Sequence, residues 1–368
     1  MRLITGATQA GRLRSVRTSF FLLLHLPVVT MGQDGHRKQA AGTQPCAALA
    51  IGTEVVFKAS DIRLGDQERL AQRRFRLPFV IARIEVDRVL VSSRDKTRHQ
   101  WVSSDHVVPF DQALRDLTGE ITKKPRSADP YARRAQLRMY RGDDNAALAD
   151  LDQAIQLKPN QPWLYVLRST ILLGKLQLDR AIADCDKAID LAPNQEKAYL
   201  NRAQVWTAKN DYQRAGADLD EAIRLDPTNP SAWGDRSRFW MHEGKPERAL
   251  TDIDEAIRQD PDDAALRCWR GNVWAEKGDE DKAIADFTAA IRLDPKDVAS
   301  FEGRARAWLE KEEHDRAIAD VTEAIKLDPK RVGLRVFRGD LRYTTEEYDK
   351  SIADYTDAIR LNPNDAYA

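Results

Sequence analysis

The sequence predicts an all-α array of seven 34-residue helix-turn-helix repeats preceded by a small all-β domain. Two observations carry the array: prolines stand at a strict 34-residue interval (Pro125, Pro159, Pro193, Pro227, Pro261, Pro295, Pro329, Pro363), and small residues recur in fixed phase with them. A third carries the β domain. Between residues 51 and 110 the helical period gives way to short runs rich in Val, Ile and Phe.

With position 1 set at the third residue after each proline, the repeats run without a gap over 128–161, 162–195, 196–229, 230–263, 264–297, 298–331 and 332–365. Position 8 is always small (Ala135, Ser169, Ala203, Ser237, Gly271, Ala305, Gly339), position 20 is Ala or, once, Ser351, and positions 27 and 28 are Ala and Ile throughout. Position 4 is mostly aromatic (Tyr131, Tyr165, Tyr199, Trp233, Phe301). In residues 211–227, Ala215, Leu219, Ala222, Ile223 and Leu225 fall at helical spacing with charges between them. Tyr199, Ala203 and Trp206 mark a helix before it, and residues 209–211 form the polar turn. Small residues let the helix axes approach, and proline at position 32 ends the second helix because it has no amide to donate. One hairpin cannot bury both of its faces, so each unit must stack on its neighbours.

Period, small positions, aromatic positions and terminal proline together resemble the tetratricopeptide repeat, over about two thirds of the chain. The resemblance implies a superhelical solenoid in which positions 2, 5, 9, 12 and 13 of the first helices line a concave groove. Carried onto this chain, those positions are Trp163, Val166, Thr170 and Leu173, then Lys197, Leu200, Gln204 and Thr207, then Ser231, Arg238, Met241 and His242, then Cys268, Asn272 and Glu276, and finally Glu302, Arg306 and Glu310. One end is apolar and the other charged, which suits an extended peptide. A known variant of the fold clamps a C-terminal carboxylate, but here only Asn201 matches it, with Val166 and Thr170 before it and Ser231 and Asp235 after it. A chaperone-tail adaptor is therefore not supported.

Two departures from the family pattern occur together. Position 7 is Arg in all seven repeats (Arg134, Arg168, Arg202, Arg236, Arg270, Arg304, Arg338), where the family carries an apolar residue. Position 23 is Asp in all seven (Asp150, Asp184, Asp218, Asp252, Asp286, Asp320, Asp354), where it often carries an aromatic. Both positions lie near the contact between the two helices of a hairpin. The expectation is a ladder of partly buried ion pairs, within a repeat or between neighbours; the alternative is two independent solvated faces.

The preceding segments read differently. Arg2, Arg12, Arg14 and Arg17 precede the apolar run 20–29, and residues 30–32 offer small side chains before Gln33. That is the layout of a secretory signal peptide over residues 1–32, which places the protein in the periplasm or outside the cell. The alternatives are a start at Met31 or a plain leader, and then a cytoplasmic protein. The run is too short for a permanent membrane span. Residues 33–50 read as a flexible linker. Within 51–110, the runs 54–58, 79–86 and 88–92, with a tight link at Asp87 and Arg88, are followed by QWVSSDHVVP at 100–109. This segment is similar to the closing strand and turn of SH3-like barrels, and GTEVV at 52–56 suits the first strand. Residues 111–127 read as a connecting helix or linker, and 366–368 as a tail. The layout as a whole resembles exported repeat proteins of planctomycete-type bacteria, which implies no chemistry.

Composition and motifs bound the function. Lysine plus arginine equals aspartate plus glutamate at 58 each, but residues 1–127 hold 21 basic and 12 acidic side chains, so the front is basic and the array acidic. Neither half shows a concentrated basic stripe, which argues against nucleic acid. Cys46, Cys185 and Cys268 are an odd count at unrelated spacings, so neither a disulfide framework nor a zinc site is expected. His242 and His314 stand alone, and the recurrent aspartates lack the glycine of a calcium loop. Arg73, Arg74 and Arg76 form a local basic cluster, read as a solvated loop. Trp206, Trp240, Trp274 and Trp308 at position 11 read as packing residues. No nucleophile elbow, P-loop, dinucleotide fingerprint or metalloprotease helix occurs.

The reading is a non-enzymatic interaction scaffold without cofactor or metal, with an unidentified protein or peptide as partner. Its rival is an envelope accessory protein whose SH3-like domain binds wall material, with the repeats as a spacer. A further expectation concerns the last repeat. Ile352, Tyr355 and Ile359 face where a further helix would pack, which predicts weak self-association through this end or fraying of its last helix.

Overall fold

The computed structural model describes residues 54–57, 79–84, 88–92, 99–103 and 107–363. The segments read as a signal peptide and a linker, Met31, Cys46, the Arg73, Arg74 and Arg76 cluster, the link expected at Asp87 and the tail expected at 366–368 lie outside the described residues. The chain divides into two compact units, residues 1–191 and 192–368.

The first unit opens with strands β1 (Glu54–Phe57), β2 (Phe79–Ile84), β3 (Arg88–Ser92), β4 (His99–Ser103) and β5 (Val107–Pro109). They form one antiparallel sheet in the order β4-β3-β2-β1-β5. Register places Leu90 opposite Trp101 and Val55 opposite Pro109, with an irregularity between Ile81 and Arg83. Helix α1 (Phe110–Lys123) follows β5 directly, and then come α2 (Ala128–Arg141), α3 (Asp144–Leu157), α4 (Pro162–Gly174) and α5 (Leu178–Leu191).

The second unit is five further hairpins: α6 (Glu196–Ala208) with α7 (Tyr212–Leu225), α8 (Pro230–His242) with α9 (Pro246–Gln259), and α10 (Ala264–Glu276) with α11 (Glu280–Leu293). It continues with α12 (Val298–Glu310) and α13 (His314–Leu327), then α14 (Val332–Thr344) and α15 (Tyr348–Leu361). The fold among the described helices, fifteen in number, is the all-α repeat class the prolines announce.

Each hairpin turns by one device. Position 15 takes the left-handed conformation in all seven repeats, at Gly142, Leu176, Asn210, Gly244, Gly278, Glu312 and Glu346, with φ between 58° and 82°. The amide of position 16 then donates to the carbonyl of position 11, as Asp211 to Trp206 at 2.9 Å, closing a Schellman motif that satisfies the end of the first helix. Proline at position 32 closes the second helix, and position 34 begins the next: Asn229, Asp263 and Asp297 accept amide hydrogen bonds from the first turn that follows. Position 4 has a polar task as well as an apolar one. Tyr165 and Trp233 donate to the carbonyls of Pro159 and Pro227 at 2.9 Å, and where the aromatic gives way to Arg267 or Arg335, the guanidinium donates to Pro261 or Pro329 instead.

The structure also extends the repeat backwards. α1 lies in the phase of a second helix: Ala113, Asp116, Leu117, Ile121 and Pro125 stand where the repeats carry positions 20, 23, 24, 28 and 32. Leu117 and Phe110 are buried, and α1 packs against α2 as a second helix packs against the next first helix. The segment read as a connection is a half-repeat that starts the stack and begins at Phe110.

Inside each hairpin, position 24 packs onto position 8 of the same repeat. Large aromatics at 24 (Phe287, Tyr355) go with glycine at 8 (Gly271, Gly339), and Leu or Val with alanine. A Cβ at Gly271 would lie 2.9 Å from the Phe287 ring, and one at Gly339 2.7 Å from Tyr355. Tyr355 therefore belongs to its own hairpin. The expectation that it lies on the uncovered terminal face is corrected: the ring is half-buried and its hydroxyl donates to Asp340 at 2.7 Å.

This pairing makes Gly271→Ala destabilising by about 1–3 kcal/mol, because a fully buried phenyl ring cannot yield without displacing its neighbours. Phe287→Leu in the same chain should recover most of the loss, since Leu over Ala is the arrangement of the first and third repeats (Leu151 over Ala135, Leu219 over Ala203). Thermal unfolding of the two single variants and the double variant measures it; additive losses would contradict the pairing.

Candidate functional site

The first helices are held by a repeated charge arrangement. In every repeat the position 7 arginine grips the position 23 aspartate of its own hairpin with two parallel hydrogen bonds. Arg236 Nε lies 2.7 Å from Asp252 Oδ2 and Nη2 2.8 Å from Oδ1, and the same fork joins Arg134 to Asp150, Arg168 to Asp184, Arg202 to Asp218, Arg270 to Asp286, Arg304 to Asp320 and Arg338 to Asp354. The aspartates are 3–6% exposed.

The arginines reach further. Nη1 donates to position 25 of the preceding hairpin: Arg168 to Asp152, Arg236 to Asp220 and Arg270 to Asp254 at 2.7–2.8 Å, then Arg304 to Thr288 and Arg338 to Thr322 at 3.0–3.1 Å. Arg134 uses Thr118 of α1 in the same way. The hydrogen bond it donates to its aspartate is the largest influence holding the guanidinium pKa of Arg134, Arg168, Arg236 and Arg270 above the usual arginine value, against burial, which lowers it. Position 11 adds a third donor in three repeats, Arg138, Trp240 and Arg342 reaching Asp150, Asp252 and Asp354.

The position 11 tryptophans are half-buried, and their outer faces are covered by cations from the second helix. Arg214, Arg248, Lys282 and Arg316 sit 4.3–4.9 Å from the ring centroids of Trp206, Trp240, Trp274 and Trp308. They pack the two helices of one hairpin together, and their rings are not free for stacking on a ligand.

Of the side chains expected in the groove, four are buried: Val166, Leu173, Leu200 and Cys268, each at most 7% exposed. They are packing residues, and their assignment as ligand contacts is corrected. Burial also pushes the Cys268 thiol up to about 12, so it remains protonated. Trp163 is half-buried against the core of the first unit, and Thr170 donates to its own helix at the Val166 carbonyl. Lys197, Gln204, Ser231 and Met241 are half-exposed, while Thr207, Arg238, His242, Asn272, Glu276, Arg306 and Glu310 are open to solvent. The His242 ring stacks on Tyr212 at 3.3 Å between centroids.

Within the second unit, position 9 of one repeat contacts position 6 of the next between α6 and α8, between α8 and α10, and between α12 and α14. Gln204 Nε2 donates to Asp235 at 2.8 Å, Arg238 lies over the Trp269 ring at 5.4 Å, and Arg306 lies over the Phe337 ring at 5.0 Å. Each arginine is also tied to a carboxylate of its own helix, Arg238 to Asp235 at 2.6 Å and Arg306 to Glu302 at 2.8 Å. Arg331 holds the other oxygen of Glu302, and Trp269 donates to Ser237. The outcome is two guanidinium groups placed over rings, two repeats apart, with side chains 43% and 64% exposed. Asp235, Trp269, Phe337 and Arg331 were missed by sequence reasoning; the signal that finds them is the 31-residue spacing of Gln204–Asp235, Arg238–Trp269 and Arg306–Phe337.

Among the described residues no cluster of His, Cys, Asp or Glu is arranged to hold a metal ion, and no helix is long and apolar enough to cross a membrane.

Comparison with known proteins agrees with this architecture. A tetratricopeptide repeat family model matches residues 166–230, 242–298 and 302–366, and a second model of the same description matches 207–267. No curated protein matches the sequence. Among solved structures, the Cut9–Hcn1 hetero-tetramer of APC/C aligns at TM-score 0.56 and 16% identity, over 70% of this chain and 51% of that one. Yeast Tom70 aligns at 0.53 and 24% identity, over 68% and 55%. A tetratricopeptide repeat protein from Parabacteroides merdae aligns at 0.50 and 21%, over 69% and 94%. The alignments to Cut9–Hcn1 and Tom70 span about half of those chains, and at these identities the likeness is one of fold.

The ladder makes an asymmetric prediction. Arg236→Leu should destabilise by about 2–4 kcal/mol because it strands the buried Asp252 carboxylate, whereas Arg236→Leu with Asp252→Leu should cost less than the two single changes together. A double-mutant cycle by denaturant unfolding reads the coupling. A value near zero would mean that the pair does not act as a unit.

Proposed function

The chain belongs to the tetratricopeptide repeat family, and on that premise we propose that it is a non-enzymatic scaffold that holds an extended peptide or protein segment along the first helices of its second unit. The observation that carries the reading is the pair of oriented guanidinium groups. Arg238 and Arg306 are fixed over Trp269 and Phe337 by Asp235 and Glu302, so little side-chain freedom remains to be lost when they meet a ligand. Their remaining N–H groups suit carboxylates or backbone carbonyls, and the exposed rims of the rings suit apolar side chains. Asn272, between them and exposed, can bond a peptide backbone in the way amide side chains do.

The β domain is part of the proposal. Its strand order, with the first strand between the second and the last, supports an SH3-like barrel over residues 51–110 that supplies a second contact. Export is proposed from the order of basic, apolar and small residues over 1–32. Mass spectrometry of the native protein should find an N-terminus near Gln33, and a peptide containing residues 20–29 would refute it.

The scaffold is tested by panning the full chain against displayed random linear peptides. The expected outcome is an enriched sequence that binds in the micromolar range and loses at least about tenfold in affinity in Arg238→Ala with Arg306→Ala, at unchanged helicity. Failure to enrich any peptide, binding indifferent to both changes, or retention only of wall glycopeptide by residues 51–110 would overturn it. The last result would favour the spacer reading.

A further inference from the structure

We propose that the segment held along the second unit is charge-patterned, with two acidic side chains about six residues apart and a lysine or arginine midway between them. This rests on the reading that an extended peptide lies along the first helices, and it names the chemistry of that peptide. The starting point is what the two oriented arginines have left to give. Arg238 spends Nη1 on Asp235 and Arg306 spends Nη2 on Glu302, while the other oxygens of these carboxylates are taken by Gln204 and Arg331. Nε and one terminal nitrogen of each guanidinium have no hydrogen-bond partner among the described residues. These charged donors remain to meet a carboxylate from outside. Beside α14 the balance already favours one, since Arg306 and Arg331 share the single carboxylate of Glu302.

The spacing follows from the stack. α8 and α10 meet where Arg238 lies over Trp269, and α10 packs in turn on α12. Axes of helices in such contact lie about 8–10 Å apart, which sets Arg238 and Arg306 roughly 16–20 Å apart along the stack. An extended chain rises about 3.3 Å per residue, so that distance takes about five or six residues, and successive side chains leave the chain on opposite sides. Only an even number returns to the same side. The two acidic residues therefore stand six apart.

The other side of the path is acidic. Glu276 and Glu310 stand at position 13, one turn beyond position 9 on the same face of α10 and α12, and both are exposed. Neither has a hydrogen bond or ion pair among the described residues. Glu280, at the start of α11, lies near Glu310: its Oε2 is shut off from solvent without a hydrogen-bond partner, and burial first, then Glu310 and Asp279, hold its carboxyl above the usual range against the pull of Lys311. A cation brought beside such a group stabilises its charged form. Glu276 belongs to α10, between the helices of the two arginines, so it meets the residue midway between the two acids, which leaves the chain on the opposite side. The pattern reads the same in both chain directions. A wholly acidic segment is repelled by the glutamates and a wholly basic one by the arginines, so the groove selects for both signs in order.

Fluorescence anisotropy of the full chain with labelled synthetic peptides tests the pattern. Peptides of one composition carry two aspartates about four, six or eight residues apart with a lysine midway, and the six-residue spacing should bind at least about fivefold more tightly than either other. Charge reversal on the protein gives the second test. Arg306→Glu should weaken the six-residue peptide at least about tenfold at an unchanged circular dichroism spectrum, and replacing the peptide aspartate at one end by arginine should recover most of the loss. Glu276→Lys should do the same, with recovery when the midway lysine becomes glutamate. Equal binding at all spacings, no recovery in either swap, or panned peptides that bind without the pattern would overturn the charge pattern and leave the extended-peptide scaffold standing. Absence of binding by every peptide, panned or designed, would overturn both.

Discussion

The bidentate contact between arginine at position 7 and aspartate at position 23 is the interaction on which the rest of this structure depends. It joins the two helices of a hairpin at mid-length, where the small residues at positions 8, 20 and 27 have already brought the axes close. Close approach excludes water, and a carboxylate 3–6% exposed needs every acceptor lone pair answered. The guanidinium fork answers two, position 11 answers a third in some repeats, and the arginine's remaining nitrogen ties the hairpin to the one before it. A lysine could not replace it, since one ammonium group cannot present two parallel donors and a third in a different direction. The repeat therefore carries its specificity in charge geometry and its bulk stability in alanine and leucine packing.

Most of the architecture was legible because the physical demands repeat. Proline at position 32, alanine at 27 and isoleucine at 28 each answer the same need seven times, so the period stands clear of any single substitution. What was not legible had its signal outside the chosen frame. α1 carries Ala113, Asp116, Leu117 and Ile121 in phase, but a frame that begins after a proline starts at residue 128 and leaves the half-repeat before it unassigned. Position 4 looked like an aromatic preference interrupted by Arg267 and Arg335; the structure shows that a donor to the preceding proline carbonyl is what Tyr165, Trp233 and those arginines share.

The candidate site was legible in part, for a related reason. Family positions say which way a side chain leaves the helix, and the neighbour decides whether it meets water. Val166, Leu173, Leu200 and Cys268 occupy the family positions and are buried. Tyr355 was assigned to the terminal face by apolarity alone, although glycine at Gly339 already announced that its own hairpin had made room for a ring. Volume at one position is readable only beside the volume it packs against. The same holds for Arg238 and Arg306, which taken singly are ordinary exposed arginines and acquire direction only from Trp269 and Phe337 on the next helix.

These local rules bear on how the molecule can meet others. In this stack the arginine that fixes a hairpin through its own ion pair also ties that hairpin to the one before it, beside the apolar packing between them. The link itself changes along the second unit: Arg236 and Arg270 reach back to the carboxylates of Asp220 and Asp254, whereas Arg304 and Arg338 reach back to the hydroxyls of Thr288 and Thr322. A hydrogen bond to a charged acceptor is roughly twice as strong as one to a neutral acceptor. The α12–α15 end, where the acceptor is a hydroxyl, also carries Arg306 over Phe337.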